Sequence, residues 1–341
     1  MRLKHLLFLF LFAMLIVSCE ENPFKNIDVS GSEVKVRSKH LENDVFAVDF
    51  SQPATARQTL YQNYGEFICR YVRDLLKVGP CGDDTTFYYM QGFAMDQSIL
   101  RIKDAIAGKF TSSDFEKWDN EFSDALTRWH YFFPDSVVPS IVYMNSGLNY
   151  QAFATDSSIG IGVDCYLGKD HPLIKEVPSD AMPQYVKDDF ESKFLVSNGI
   201  RDWIYMRTVF YDDGNDLLSK IIFEGKRMFL LDVLLPEVAD SIKMNWSSEQ
   251  MLWAESNEGQ VWEELARQEV LFETKPLDIN KWTDPAPFTN FGKIPTESPG
   301  QLGIWMGWNV VRDYMMQNKE LTLQQLLNEK NYQKMLKAYH P

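Results

Sequence analysis

The chain has 341 residues, of which 45% are hydrophobic and 14% aromatic, so it can bury a substantial core and is not a disordered chain. Its 48 acidic and 34 basic residues give a formal net charge of −14. A surface this acidic repels nucleic-acid phosphates and anionic lipid headgroups, so the composition argues against nucleic-acid binding.

Residues 1–18 have the pattern of a secretory signal peptide. A short charged stretch precedes an apolar run from Leu6 to Val17, which is too short for a helix that needs about 20 residues to cross a bilayer. The run ends in Ile-Val-Ser followed by Cys19, which matches a bacterial lipobox. We therefore predict that Cys19 is the first residue of the mature chain and carries lipid that holds the protein on a membrane.

Residues 19–32 are polar, contain proline, glycine and serine, and predict a tether between lipid and domain. Glu20 and Glu21 resemble the acidic signal that sends lipoproteins of Bacteroidetes to the cell surface, and they fit a solvated linker equally well. We expect the outer membrane or cell surface rather than the inner membrane. No later linker stands out, so residues 33–341 are predicted to form a single domain.

Hydropathy patterns along this domain predict an α+β fold that is mostly helical. Residues 34–50 alternate enough for one or two strands, and apolar residues at helical spacing after Pro53 predict a helix that ends at Gly79 and Pro80. β-Branched and aromatic residues in 137–168 predict three strands in a meander. The other predicted helices cover residues 95–109, 114–131, 184–196, 198–211, 216–234, 248–268, 300–317 and 321–338.

Three cysteines follow Cys19, namely Cys69, Cys81 and Cys165. An odd number in an oxidising compartment permits at most one internal disulfide bond and leaves one thiol. None of them belongs to a C-x-x-C pair, so no structural zinc site is predicted. Buried free thiols are the simpler interpretation for most of them.

Glu224 and Gly225 open an apolar helical stretch in a setting typical of the third ligand of H-E-x-x-H zinc hydrolases. In those enzymes two histidines four residues apart on the preceding helix bind the metal. The corresponding segment here, residues 198–213, contains no histidine. We therefore predict no H-E-x-x-H site, no metal and no catalytic residue. A site built from scattered ligands, such as His130 and His171 with Glu224, is the alternative.

Three interpretations of Glu224 stay open. It is a solvated or capping residue near a helix start, a buried carboxylate paired with Arg201 or Arg207 of the preceding helix, or a ligand-binding group. Arg201, Arg207 and Glu224 are therefore candidate residues of an interaction cleft.

Trp305 and Trp308 lie about one helical turn apart, next to Gly303 and Gly307. They are candidates for an aromatic platform in the same cleft. The competing interpretation, which we favour, is close helix packing through the small glycine residues.

Several segments combine specific aromatic, proline and glycine residues, namely CYLGKDHPLI (165–174), FLLDVLLPE (229–237), MNWSSEQMLWAESNEGQVWEEL (244–265), WTDPAPFTNFG (282–292) and ESPGQLGIWMGWNVVRDYM (297–315). In this order they resemble the GldB family of gliding-motility lipoproteins from Bacteroidetes. That family is similar to zincin-type peptidases, which implies a zincin-like single domain with a small mixed sheet and without the histidine pair.

The resemblance implies a non-catalytic envelope component of gliding motility, linked to type IX secretion, or of envelope maintenance. We expect it to need no cofactor, to bind the membrane through the lipid on Cys19, and to have an envelope protein as partner. The alternatives are a metallohydrolase with a non-standard site and a lipoprotein that binds a peptide or glycan through Trp305 and its neighbours.

Overall fold

The computed structural model describes residues 24–208, 215–267, 270–285, 287–289 and 292–341. The predicted signal peptide and Cys19 lie outside these described residues. The helices before the main strands are α1 Leu41–Ala47, α2 Pro53–Tyr64, α3 Glu66–Arg70, α4 Asp84–Met95, α5 Gln97–Lys109 and α6 Ser112–Phe132. The later helices are α7 Pro172–Glu176, α8 Gln184–Asp188, α9 Leu195–Arg207, α10 Leu217–Leu234, α11 Asp240–Lys243, α12 Ser248–Ser256, α13 Glu258–Arg267, α14 Pro276–Thr283, α15 Leu302–Gln317, α16 Leu323–Asn328 and α17 Tyr332–Leu336.

The strands are β1 Ser38–His40, β2 Ser140–Met144, β3 Ala152–Ala154 and β4 Ser158–Gly162, and they form one sheet in the order β1-β2-β4-β3. β1, β2 and β4 run parallel, and β3 is antiparallel to β4. The predicted α+β class with a small mixed sheet is confirmed. The predicted meander is wrong, because β2 pairs directly with β4, a strand that is buried along its whole length.

The prediction of one or two strands in residues 34–50 is confirmed for one short strand, β1, and α1 follows it directly. The single helix predicted after Pro53 is interrupted at Gly65, whose φ of 56° ends α2 and begins α3, and a π-helical turn Tyr71–Leu75 follows. Glycine adopts this left-handed φ without the steric penalty that a Cβ brings, which explains the break.

The sheet separates two hydrophobic cores, one on each face. Ile141 and Tyr143 of β2 point into the larger core, whereas Val142 and Met144 point into the smaller core formed with α1 to α4. This alternation is the ordinary two-residue period of a strand that is buried on both faces. On β4 the residue facing the smaller core is Gly160, where a Cβ would lie 2.8 Å from the ring of Phe67.

α10 and α15 form the centre of the larger core. Every residue of α10 except Lys220 is buried. α15 crosses α10 at glycines, since a Cβ on Gly307 would lie 2.0 Å from the carbonyl oxygen of Ile221. A Cβ on Gly303 would lie 2.9 Å from Trp282 of α14. The favoured interpretation of these glycines, close packing of helices, is confirmed.

A disulfide bond joins Cys69 to Cys81, and Cys165 is a buried free thiol. The predicted limit of one bond and one remaining thiol is confirmed. The interpretation of most cysteines as free thiols is wrong, because the turn after α3 brings the Cα atoms of Cys69 and Cys81 to 4.9 Å from each other. Burial raises the pKa of the Cys165 thiol, so this thiol stays protonated and unreactive.

Candidate functional site

A cavity of about 840 Å³ lies between α10, α11 and α15. This is within the size range of small-ligand sites, roughly 300–1,000 Å³. Its apolar walls come from both ends of the chain, and they include Phe24, Phe229, Trp305, Met315, Met316 and Leu321. The cavity is therefore built by tertiary packing and includes the first residue that the structure describes.

A buried carboxylate, Asp232 of α10, accepts hydrogen bonds from three side chains at the floor of this cavity. Lys243 donates to Oδ1 at 2.8 Å, and the indole N–H of Trp308 donates to Oδ2 at 2.8 Å. Arg312 donates through Nε to Oδ2 at 2.7 Å and through a terminal nitrogen to Oδ1 at 2.8 Å. Such a bidentate arginine pair is stronger and more directional than a single contact.

Asp240 completes the charge balance of this cluster. It accepts from Arg312 at 2.6 and 2.9 Å and lies 3.5 Å from Lys243. Burial raises the pKa of Asp240, but the attraction of Arg312 and Lys243 outweighs burial and leaves it lowered. Two acids thus neutralise two bases, as a desolvated set of charges requires. We call Asp232, Asp240, Lys243 and Arg312 the charge cluster.

The two candidate tryptophans have different positions. Trp305 lines the cavity and packs against Trp246 with 6.3 Å between ring centroids. Trp308 is fully buried beneath it, and the guanidinium of Arg312 lies 3.8 Å from its ring centroid. Only Trp305 is placed to face a ligand, whereas Trp308 supports the charge cluster.

Glu224 is buried, and three neighbours hold it. Its Oε1 accepts from Lys220 at 2.9 Å and from Arg227 at 3.0 Å, and its Oε2 accepts from the Tyr205 hydroxyl at 2.8 Å. Arg227 also donates to Thr208, which ties α10 to the end of α9. A buried ion pair was one of the three interpretations, but its predicted partners are wrong.

Arg201 and Arg207 have other contacts. Arg201 donates to the backbone carbonyl of Lys243, and Arg207 donates to the carbonyl of Asp156 while its guanidinium lies 4.1 Å from the ring centroid of Trp203. The basic partners of Glu224 are instead Lys220 and Arg227, which lie four residues before and three residues after it on the same helix face. Glu224, Arg201 and Arg207 do not line the cavity.

The alternative metal site is not assembled in the described part of the chain, where no three His, Cys, Asp or Glu side chains are placed to hold a metal ion. The combination of His130, His171 and Glu224 is therefore wrong. A different histidine has a carboxylate partner: Nδ1 of His40 lies 2.7 Å from Oε1 of the buried Glu42. This hydrogen bond raises the pKa of His40, which borders a separate cavity of about 590 Å³.

The sequence pattern did not predict that Asp232, Asp240, Lys243 and Arg312 form a group. A signal for two of them was present, because Asp232 is the one charged residue within the apolar stretch 228–235 and Arg312 follows an uncharged stretch from 302 to 311. An ionised side chain in such a place needs a partner. The local pattern does not show that Asp232 and Arg312 are partners, because 80 positions of sequence separate them.

The fold and the cavity define a mostly helical α+β domain with an internal site beside its N-terminal segment. Residues 22–341 match the family model described as gliding motility protein GldB, so the chain belongs to this family of gliding-motility-related lipoproteins. No curated protein and no solved structure matches the chain. Within the part that the structure describes, none of the helices combines the length and apolar character that a membrane span requires.

Proposed function

We propose that this protein is an envelope lipoprotein, anchored through lipid on Cys19, that acts without catalysis as an interaction component. Its process is gliding motility with a link to type IX secretion, or maintenance of the envelope. The family match supports the connection with gliding motility. The lipobox supports the anchor, and the two acidic residues that follow it favour the outer membrane or cell surface.

One observation carries the proposal of a docking role, namely the cavity over a charge cluster that is satisfied internally. Arg312 donates hydrogen bonds to Asp232 and Asp240, and Lys243 donates one to Asp232. A general acid or base must reach a substrate proton with a group that is free to exchange it. Mutually compensated charges below apolar walls favour binding over proton transfer.

Site-specific crosslinking in intact cells tests the docking role. Met316 lies on the rim of the cavity and is 38% exposed, so a photoreactive amino acid placed there faces any bound partner. We expect a discrete crosslinked product with an envelope protein, and its loss when Cys19 is replaced by serine. The matched control is the same group at Asp104, an exposed position on α5 that does not line the cavity. Equal products from both positions would contradict a docking surface at the cavity.

Two assays on purified protein test the other parts of the proposal. Metal analysis after purification without chelators, together with a peptidase assay, addresses catalysis. A stoichiometric metal content with peptide hydrolysis would overturn the non-catalytic role. Separation of inner and outer membranes, followed by protease treatment of whole cells, tests the location. Recovery in the inner membrane fraction would contradict the outer membrane.

A further inference from the structure

The N-terminal segment is fixed to the domain at the wall of the cavity. The ring of Phe24 makes edge contacts with Phe229 at 5.5 Å and Phe132 at 6.3 Å between centroids. Arg128 donates to the carbonyl of Phe24 at 2.7 Å and to that of Lys25 at 3.2 Å. We call these contacts of Phe24 and Lys25 the clamp.

The clamp limits how far the cavity is from the predicted lipid. Phe24 is five residues after Cys19, and a fully extended chain of that length spans at most about 18 Å. If the first fixed point were instead Val34, whose N–H donates to Thr127, the limit would be about 50 Å. Because Phe24 is itself part of the cavity wall, the anchor and the cavity share one side of the domain.

The charged residues at the mouth of the cavity determine which ligand charge it attracts. Asp232 and Asp240 are already neutralised by Lys243 and Arg312. Among the other charged residues of the lining, the carboxylates of Glu255 and Glu258 outnumber the ammonium of Lys319. A mouth of this sign attracts cations and repels phosphate groups.

The walls add a requirement for apolar groups. Met315 and Met316 have flexible, polarisable side chains that adapt to differently shaped apolar partners. Trp305 and Phe229 supply rigid aromatic surface behind them. A segment that alternates basic with large apolar residues satisfies both the walls and the acidic mouth.

We propose that the cavity receives a basic, apolar peptide segment of a partner protein at the membrane surface beside the anchor. This inference rests on the proposed lipid at Cys19 for its place, whereas the choice of a basic, apolar occupant rests on the described residues alone. The two parts are therefore tested by separate measurements.

Binding of a short synthetic peptide that alternates lysine with leucine and phenylalanine tests the chemistry. Fluorescence anisotropy with the Cys19→Ser chain in solution should show saturable binding, at least about tenfold weaker when glutamate replaces lysine in the peptide. Glu255→Lys should weaken binding roughly threefold to tenfold, and Asp104→Lys on α5 should leave it within about twofold. Equal affinity for the two peptides, or equal effects of the two variants, would overturn the proposal.

Fluorescence quenching tests the place. The lipidated protein is put into uncharged phosphatidylcholine vesicles that carry a headgroup quencher, with a fluorophore at Lys319→Cys or, as control, at Asp104→Cys. Lys319 is exposed at the cavity mouth, and the buried Cys165 does not compete for the label. We expect stronger quenching at position 319 than at position 104. In the Phe24→Ala variant the difference between these two positions should be smaller. Equal quenching at both positions would contradict a membrane-facing cavity, whereas protein that stays out of the vesicles contradicts the lipid anchor only.

Discussion

Gly225 of α10 and Gly307 of α15 meet backbone to backbone, so that a Cβ on Gly225 would lie 2.3 Å from the carbonyl oxygen of Gly307. This contact explains why a glycine follows Glu224 in the middle of a buried helix, where glycine costs roughly 1 kcal/mol relative to alanine. The Glu-Gly pair therefore has two separate structural roles. Glu224 ties α10 to α9, and Gly225 lets α15 approach.

Gly225→Ala should destabilise the protein by about 3 kcal/mol or more, because two buried helix backbones must separate to admit the methyl group. Gly307→Ala should have a similar effect, since its Cβ would meet the carbonyl of Ile221. Urea denaturation measures both. Gly108→Ala on α5 is the matched control, because nothing lies within 4 Å of a Cβ there, and it should be neutral or stabilising by up to about 1 kcal/mol. An unchanged unfolding midpoint for Gly225→Ala would contradict the close crossing.

Removing the central carboxylate of the charge cluster should be costly. Asp232→Asn leaves Lys243 and Arg312 with Asp240 as their remaining acid, and breaking a buried ion pair in this way costs about 3–5 kcal/mol. The free energy of unfolding of Asp232→Asn, Lys243→Met and the double variant measures it. We expect the double variant to lose clearly less than the sum of the two single changes. Simple additivity would show that the two charges do not interact.

Double-mutant cycles distinguish the partners of Glu224. The cycle of Glu224→Gln with Arg227→Met should give a coupling of about 1–3 kcal/mol, because these side chains are in buried contact. The cycle of Glu224→Gln with Arg207→Met should stay below about 0.5 kcal/mol, because Arg207 contacts Asp156 and Trp203 instead. The reverse order of couplings would restore the partner that sequence analysis predicted.

Asp189 and Asp202 should make stability depend on pH. Burial raises the pKa of both carboxyl groups to about 7, although the nearby Arg201 acts to lower it. An aspartate in the unfolded chain has a pKa of about 4. Between these values the folded state binds more protons than the unfolded state, so stability falls as the pH rises from about 4 to about 7.

The double variant Asp189→Asn, Asp202→Asn should lack this part of the pH dependence. Urea midpoints of the variant and the unchanged protein, measured at pH values from 4 to 8, give the difference directly. The unchanged protein should lose stability relative to the variant as the pH rises. Parallel profiles would show that neither carboxyl group has a raised pKa in the fold.

Reduction of the Cys69–Cys81 bond should destabilise the protein by about 3 kcal/mol, the loop-closure value for a bridge that spans 12 positions. Unfolding with and without dithiothreitol measures the loss. The variant Cys69→Ser, Cys81→Ser should show the same stability in both conditions. If reduction lowered the stability of that double variant as well, the loss would have another origin.

Much of the secondary structure was predictable from sequence, whereas the pairing of strands and side chains was not. The apolar spacing of residues 216–234 predicted α10 almost to its ends, because a helix is formed by neighbours in sequence. The order of β2, β3 and β4 in the sheet depends on which strand the packed helices bury at its centre. The local sequence pattern of a strand does not contain this information.

The candidate site shows the same division. Lys220 and Arg227 lie on the helix of Glu224, within one turn of it, so helical spacing alone could have identified them as its partners. Asp232 and Arg312 meet only because α10 and α15 cross. The sequence shows Asp232 within an apolar stretch and Arg312 at the end of an uncharged one, and it gives no means of pairing them.

Isoleucine and glycine alternate along β4, so the two faces of this strand differ in side-chain size. On the side of the smaller core, Gly160 leaves bare peptide backbone against the ring of Phe67, with no side chain between them. A fragment without α1 to α4 would lose this ring of Phe67 and would expose Val142 and Met144 of the neighbouring strand. The two cores thus share one sheet, and a cut between them would leave apolar surface exposed on both pieces.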